Sequence, residues 1–155
     1  INGELYKRYD AKEGVTKRKV KGVWVDVPYT KKAPEGAIPC QAKDPITGHQ
    51  PFWVKCDRSK PEDKWYFNAF DKRTTWEDGT YECCGVHFQS NPEQLDSDYL
   101  IKHGSEVLSV TDFSYDGLRD FLGNSENDIE GIVFHDSSGL GRMCKIRKCD
   151  FGFKR

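Results

Sequence analysis

Aliphatic side chains are scarce in this sequence: Leu, Ile, Val and Phe together supply 33 of 155 residues, about 21%, just above the level at which a chain cannot enclose a core. Any core must therefore be built largely from rings. Nine Phe, seven Tyr and four Trp are available, each able to bury roughly 150–250 Å², which predicts a folded, aromatic-cored and mostly β chain. The longest apolar runs are trios such as Val23-Trp24-Val25 and Ile132-Val133-Phe134, far short of the ~18 residues of a membrane helix. No membrane partner is expected. With 24 Lys+Arg against 25 Asp+Glu, the chain as a whole is neither a basic coat protein nor an acidic tail.

Its parts are far from neutral. Residues 1–75 carry 16 cations against 10 carboxylates, residues 76–141 carry 2 against 14, and residues 142–155 carry 6 against 1. Such segregation suits a site where cations from distant segments converge on an anion beside a metal held by carboxylate. The runs Lys17-Arg18-Lys19 and Lys31-Lys32 read equally as solvated faces or as contacts to phosphate.

Strand signals dominate. They cover Gly3 to Asp10, Val23 to Val27 with its three valines on one face, Pro51 to Cys56, Trp65 to Phe70, Thr80 to Cys84, Tyr99 to His103, Ile129 to His135 and Met143 to Lys148. Between the last two, Asp136 to Gly141 has the composition of a hairpin loop. One helix is predicted from Tyr115 to Leu122, capped by Ser114 and stopped at Gly123. The segment Pro28 to Asp44, with three prolines, reads as a long loop. The expected class is α+β, antiparallel sheet with few helices.

Cys40, Cys56, Cys83, Cys84, Cys144 and Cys149 contain no C-x-x-C pair, so neither a zinc site nor a disulfide framework is favoured. Reduced thiols in a cytoplasmic or nuclear protein are expected. Met143 is the only methionine, so Ile1 is not an initiator and the chain is expected to begin partway through a longer one.

Four pieces in order suggest chemistry. Ile1-Asn2-Gly3 is expected to open a strand reaching Arg8; Gly79-Thr80-Tyr81-Glu82 places one acid in a β run; Glu130 stands at the mouth of the apolar strand Gly131 to His135; and Cys144-Lys145-Ile146-Arg147-Lys148 alternates. Alternation puts Lys145 and Arg147 on one face of their strand. A hairpin from Glu130 to Lys145 would then set carboxylate and ammonium on neighbouring strands, the outline of a phosphate-and-metal site.

The ordered set resembles the covalent nucleotidyltransferases: ATP-dependent RNA and DNA ligases and mRNA capping enzymes. Glu82 resembles their motif III, Glu130-Gly131-Ile132-Val133-Phe134 their motif IV, and Lys145 to Lys148 their motif V. The likeness is greatest to the 5′-3′ RNA ligase 1 family. There it extends through Gly48 to Val54, the Asn91-Pro92-Glu93 segment, Leu100 to Gly104, the helix and motif IV. Motif I of the family is K-x-[DN]-G; Asn2 and Gly3 fit its last positions, and its lysine falls immediately before Ile1.

The resemblance implies one nucleotidyltransferase domain over residues 1–155, missing its N-terminal part and motif I lysine, with two packed antiparallel sheets around an ATP cleft. ATP would be the cofactor, its AMP carried on the lysine before Ile1, with Mg²⁺ or Mn²⁺. Glu130 would hold the metal through its waters. Lys145 and Arg147 would neutralise the triphosphate and help keep the attacking lysine unprotonated. Ile1, Asn2 and Gly3 would border the nucleotide, Glu82 would contact the ribose, Ile132 or Phe134 would lie near the adenine, and Arg8 would approach the nucleotide or the RNA 5′ end. Arg147 stands where many relatives have lysine and cannot move a proton at neutral pH. The partner would be RNA with 5′-phosphate and 3′-hydroxyl ends, and the protein a monomer. A DNA ligase, a capping guanylyltransferase and a non-catalytic β-rich RNA-binding module are the alternatives.

Overall fold

The computed structural model describes residues 1–138 and 142–154. It is mixed α+β, and the chain divides into two compact units, Ile1–Ser105 and Glu106–Arg155. The first holds β1 (Tyr6–Val20), β2 (Val23–Lys31), β3 (Ile38–Pro39), β4 (His49–Lys55), a 3₁₀ turn at Pro61–Asp63, α1 (Lys64–Phe70), β5 (Tyr81–Cys84) and β6 (Tyr99–Lys102). The second holds α2 (Tyr115–Gly123), β7 (Gly131–His135), β8 (Met143–Arg147) and a 3₁₀ turn at Lys148–Phe151. Where two sheets are expected, the strands form three, all antiparallel: β2-β1-β4-β3, β5-β6 and β7-β8.

β1 is shared between two partners. Residues Tyr6 to Lys12 pair with β4, and Lys12 to Val20 pair with β2. Lys21 and Gly22 close the β1–β2 hairpin with φ of 49° and 85°. Positive φ at both central residues is the type I′ geometry, which matches the natural twist of paired strands.

Three local expectations are corrected. Ile1-Asn2-Gly3 does not open a strand: Asn2 and Gly3 have φ of 52° and 74°, and the Glu4 amide donates to the Ile1 carbonyl at 3.0 Å. Asn-Gly is the dipeptide that most readily takes two positive φ values, so the chain turns first and β1 begins at Tyr6. Residues Trp65 to Phe70 are helical rather than extended. Their rings favour strands, but Pro61 opens the preceding 3₁₀ turn at a position where a missing N–H costs nothing, and Trp65/Ala69 and Tyr66/Phe70 repeat every fourth residue. The region from Pro28 is not all loop, since β2 runs on to Lys31 and β3 follows. Pro28 is tolerated because, among the described residues, the outer edge of β2 has no strand to donate to.

The aromatic core takes a different form from the one expected. Among the described residues, the hydrophobic side chains that are fully enclosed are small or aliphatic: Ala11, Cys56, Ala69 and Leu100 in the first unit, Leu122 and Ile132 in the second. The rings pair with one another instead, most of them half-buried, with Phe113 and Tyr115 exposed. Phe70 stacks on Trp76 at 5.2 Å, Trp76 meets Tyr81 edge-on, and in the second unit Phe113 meets Phe134 and Tyr115 meets Phe151. Asp63 is entirely buried; its carboxylate accepts from the Lys7 ammonium and from the Asp57 amide at 2.9 Å.

The predicted helix is present as α2. Ser114 caps it, its hydroxyl accepting from the Gly117 amide at 3.1 Å. The hairpin loop expected over Asp136 to Gly141 is closed by a hydrogen bond from the Asp136 amide to the Arg142 carbonyl; residues 139–141 of it lie outside the described residues.

Candidate functional site

In the second unit, β7 and β8 pair with Gly131 opposite Arg147, Ile132 opposite Ile146, and Val133 opposite Lys145. The close approach depends on glycine: a Cβ at Gly131 would lie 2.2 Å from the Ile146 carbonyl oxygen. The Glu130 amide-to-strand junction is fixed by its carbonyl, which accepts from the Lys148 amide at 2.9 Å. This leaves the Glu130 carboxylate beside the Lys145 ammonium, 3.0 Å away, both side chains less than half exposed. The carboxylate and ammonium expected on neighbouring strands are therefore brought together.

Arg147 shares the strand face of Lys145 by alternation. Asp150 holds it: the guanidinium approaches the Asp150 carboxylate at 3.2 Å while the same carboxylate accepts the Arg147 amide at 2.8 Å. Donation to Asp150 raises the pKa of Arg147, and donation from Arg147 lowers that of Asp150. Asp150 was not singled out by the sequence; an acid three residues after a strand cation, at the start of a 3₁₀ turn, was the available signal.

Ile132 is 6% exposed and pairs with Ile146, so it belongs to the sheet face opposite that of Lys145 and Arg147. Phe134 shares that face and meets Phe113. The apolar residue on the cationic face is Val133, which is largely exposed.

In the first unit, the Asn2–Gly3 turn is pinned by Asp78. Its carboxylate accepts from the Asn2 amide at 2.9 Å and from the Gly3 amide at 3.4 Å, and the Asn2 amide holds the Asp78 carboxyl below its ordinary pKa. Asp78 was also missed; an acid far along the chain carries no sequence mark of pairing with a turn. Glu82 lies on β5, where its carboxylate accepts from the Gln89 side-chain amide and meets His103 Nε2 at 3.2 Å. His103 Nδ1 is in turn 2.9 Å from the Thr80 hydroxyl. Arg8 is exposed and paired with Asp10 at 3.0 Å.

Gly3 borders a cleft of about 690 Å³ within this unit, lined also by Glu4, Leu5, Lys55, Arg58 and Phe67. Its volume is in the range of small-molecule sites. Its charges are internally paired: Lys55 with Glu4 at 2.6 Å, and Arg58 bidentately with Asp71 at 2.8 and 2.6 Å while stacking over Phe67. Neither Glu82 nor Arg8 lines it.

Asn2, Gly3, Arg8 and Glu82 thus belong to the first unit, and Glu130, Ile132, Lys145 and Arg147 to the second. Among the described residues no group of three or more His, Cys, Asp or Glu side chains is placed to hold a metal ion. One carboxylate beside an ammonium fits only a cation that keeps most of its waters and takes phosphate oxygens as ligands, as Mg²⁺ does. No helix among the described residues is long and apolar enough to cross a membrane. The sequence matches no protein-family model, and no curated protein is significantly similar to it.

Proposed function

We propose that this chain is the nucleotidyltransferase domain of an ATP-dependent RNA ligase. The observation that carries the reading is the β7–β8 hairpin, where Glu130 and Lys145 lie 3.0 Å apart and Arg147 occupies the same strand face as Lys145. Two cations on a rigid strand are suited to the charge that accumulates on phosphate during nucleotidyl transfer, where positioned charge is the largest catalytic contribution.

The reaction has three steps. A lysine preceding Ile1 attacks the α-phosphorus of ATP, forming a P–N bond as the bond to the β-phosphate breaks and pyrophosphate leaves. An oxygen of the RNA 5′-phosphate then attacks the same phosphorus, breaking the P–N bond and returning the lysine. Finally an RNA 3′-hydroxyl attacks the activated 5′-phosphorus; a phosphodiester forms and AMP leaves. Lys145 and Arg147 bind phosphate oxygens in this scheme. Glu130 would hold Mg²⁺ or Mn²⁺ through its waters, and the ion would supply further positive charge to the triphosphate. Glu82, oriented by His103 and Gln89, receives the ribose hydroxyls; Arg8 exchanges Asp10 for the nucleotide or the RNA 5′ end; Ile1, Asn2 and Gly3 border the nucleotide.

Protein that includes the residues preceding Ile1, given 5′-phosphorylated RNA, ATP and Mg²⁺, is expected to join the RNA, with no joining of DNA ends. A covalent guanylate in place of an adenylate identifies a capping enzyme, and joining of DNA nicks a DNA ligase. RNA binding with neither adenylylation nor joining identifies a non-catalytic module and ends the proposal.

A further inference from the structure

Past Lys12, β1 loses β4 as a neighbour, and among the described residues β2 has no other strand beside it. Residues 14–29 are therefore a two-stranded ribbon with no strand on either edge among the described residues. From Lys12 to its tip it reaches roughly 26 Å, at about 3.3 Å per residue. An isolated two-stranded ribbon is marginally stable in water, so a ribbon this long points to something that binds it.

Its register assigns the side chains to two faces. Lys17, Lys19, Trp24 and Asp26 share one, with Lys19 opposite Trp24; Arg18, Val20, Val23 and Val25 share the other. Trp24 and Val23 are each 64% exposed. Among the described residues, no carboxylate lies within ion-pairing distance of Lys17, Arg18, Lys19 or Lys21. An exposed indole flanked by free cations is the chemistry that holds a strand of nucleic acid, the ring stacking a base and the cations meeting phosphates. A lipid surface fits less well, because Arg18 interrupts the valine face and Trp24 lies among lysines. A peptide strand fits less well again, since lysines along open edges oppose strand addition.

We propose that the β1–β2 ribbon is an arm for single-stranded RNA, in which Trp24 stacks a base and Lys17 and Lys19 of the same face, with Lys21 at the tip, bind its phosphates. Only the choice of RNA over DNA rests on the ligase reading. Formation of the lysyl adenylate does not need the arm, so the two ideas can fail separately.

The test is fluorescence anisotropy of a fluorescein-labelled single-stranded RNA across a series of KCl concentrations. Each phosphate contact to a single strand contributes about −0.7 to the slope of log K against log [salt], so three contacts predict a slope of about −2.1. Replacing Lys17 and Lys19 together by alanine is expected to flatten it by about 1.4. Trp24→Ala is expected to weaken binding roughly five- to hundred-fold, the range measured for loss of one stacked base, and Trp24→Phe to recover much of that loss. Circular dichroism checks the ribbon of each variant; if Trp24→Ala unfolds it, the lysine pair, whose side chains are exposed, decides. Wild-type protein that does not bind, or lysine variants with an unchanged salt slope, overturn the arm, as does capture by phosphatidylserine vesicles without RNA binding. Equal adenylylation of wild type and variants shows that the arm alone was altered; RNA binding without adenylylation leaves the arm standing and removes the ligase.

Discussion

The Lys7–Asp63 pair offers a quantitative test of how the first unit is held. Asp63 has no exposed surface, and its two oxygens are used by different partners: one accepts from Lys7, the other from the Asp57 amide. Lys7 retains 19% exposure. Removing one member of a buried pair costs about 3–5 kcal/mol because the other is left desolvated and unpaired. The two residues are not equivalent, however. In Asp63→Ala the Lys7 ammonium can swing toward water along its apolar stem, which places the cost near the lower limit, about 3 kcal/mol. In Lys7→Met the carboxylate has no such route, and the cost should be at least as large. For a unit of this size each kcal/mol moves the melting temperature by roughly 4–8 °C, so Asp63→Ala should melt about 12 °C or more below wild type. The double variant Lys7→Met/Asp63→Leu should recover part of the loss, since an apolar pair leaves no charge stranded. Chemical denaturation of wild type, Lys7→Met, Asp63→Leu and the double variant gives the coupling energy. Single variants within 1 kcal/mol of wild type would refute the buried-pair account. Alkali provides a second check. Burial alone would lower the pKa of Lys7, but its hydrogen bond and attraction to Asp63 outweigh this and raise it; the stabilisation is therefore complete below about pH 10, and is lost as pH climbs through the folded value.

Two other predictions concern single residues. Gly131→Ala places a methyl group against the Ile146 carbonyl and should destabilise the β7–β8 hairpin by roughly 1–3 kcal/mol, the usual cost of overpacking; hydrogen exchange of the Ile132 and Ile146 amides, which face each other in the ladder, should accelerate, and unchanged protection would show that the strands can separate without cost. Burial pushes the Cys56 and Cys83 thiols up to about 12, whereas Cys144 and Cys149 are exposed. Brief iodoacetamide treatment at pH 8 followed by peptide mass mapping should therefore label Cys144 and Cys149 and spare Cys56 and Cys83; early labelling of Cys83 would contradict its burial.

Sequence patterns revealed the elements whose physics is local. Ser114, Leu118, Phe121 and Leu122 mark α2, and the alternation of Lys145, Ile146 and Arg147, together with the apolar run from Gly131, marks the hairpin that sets Lys145 beside Glu130. Where two local signals conflict, the stronger steric one won: Pro61 and the four-residue spacing of Trp65 to Ala69 and Tyr66 to Phe70 made α1 a helix despite its β-favouring aromatics, and Asn2-Gly3 turned the chain before β1 could start. Contacts between residues far apart in the chain left no trace in any short window. Asp78 on the Asn2–Gly3 turn, His103 on Glu82 and Asp63 on Lys7 are of this kind. The ribbon is an intermediate case. Alternation correctly places Val23, Val25 and Val27 on one face, but an apolar face reads as core, and here it is largely bare because β4 leaves β1 at Lys12.

The central claim is that nucleotide transfer depends on the Glu130–Lys145 pair. This pair is exposed enough that its loss should cost the fold no more than about 1 kcal/mol, so chemistry and stability separate cleanly. The decisive measurement is covalent labelling by α-labelled ATP and Mg²⁺ of protein that includes the residues before Ile1, in wild type and in Glu130→Ala and Lys145→Ala. The account predicts an acid-labile adenylate on the lysine next to Ile1 in wild type, and at least a hundred-fold less in either variant at unchanged melting temperature, the scale on which loss of one preorganised charge slows catalysis. Wild-type protein that takes no label, or variants labelled as readily as wild type, would contradict it.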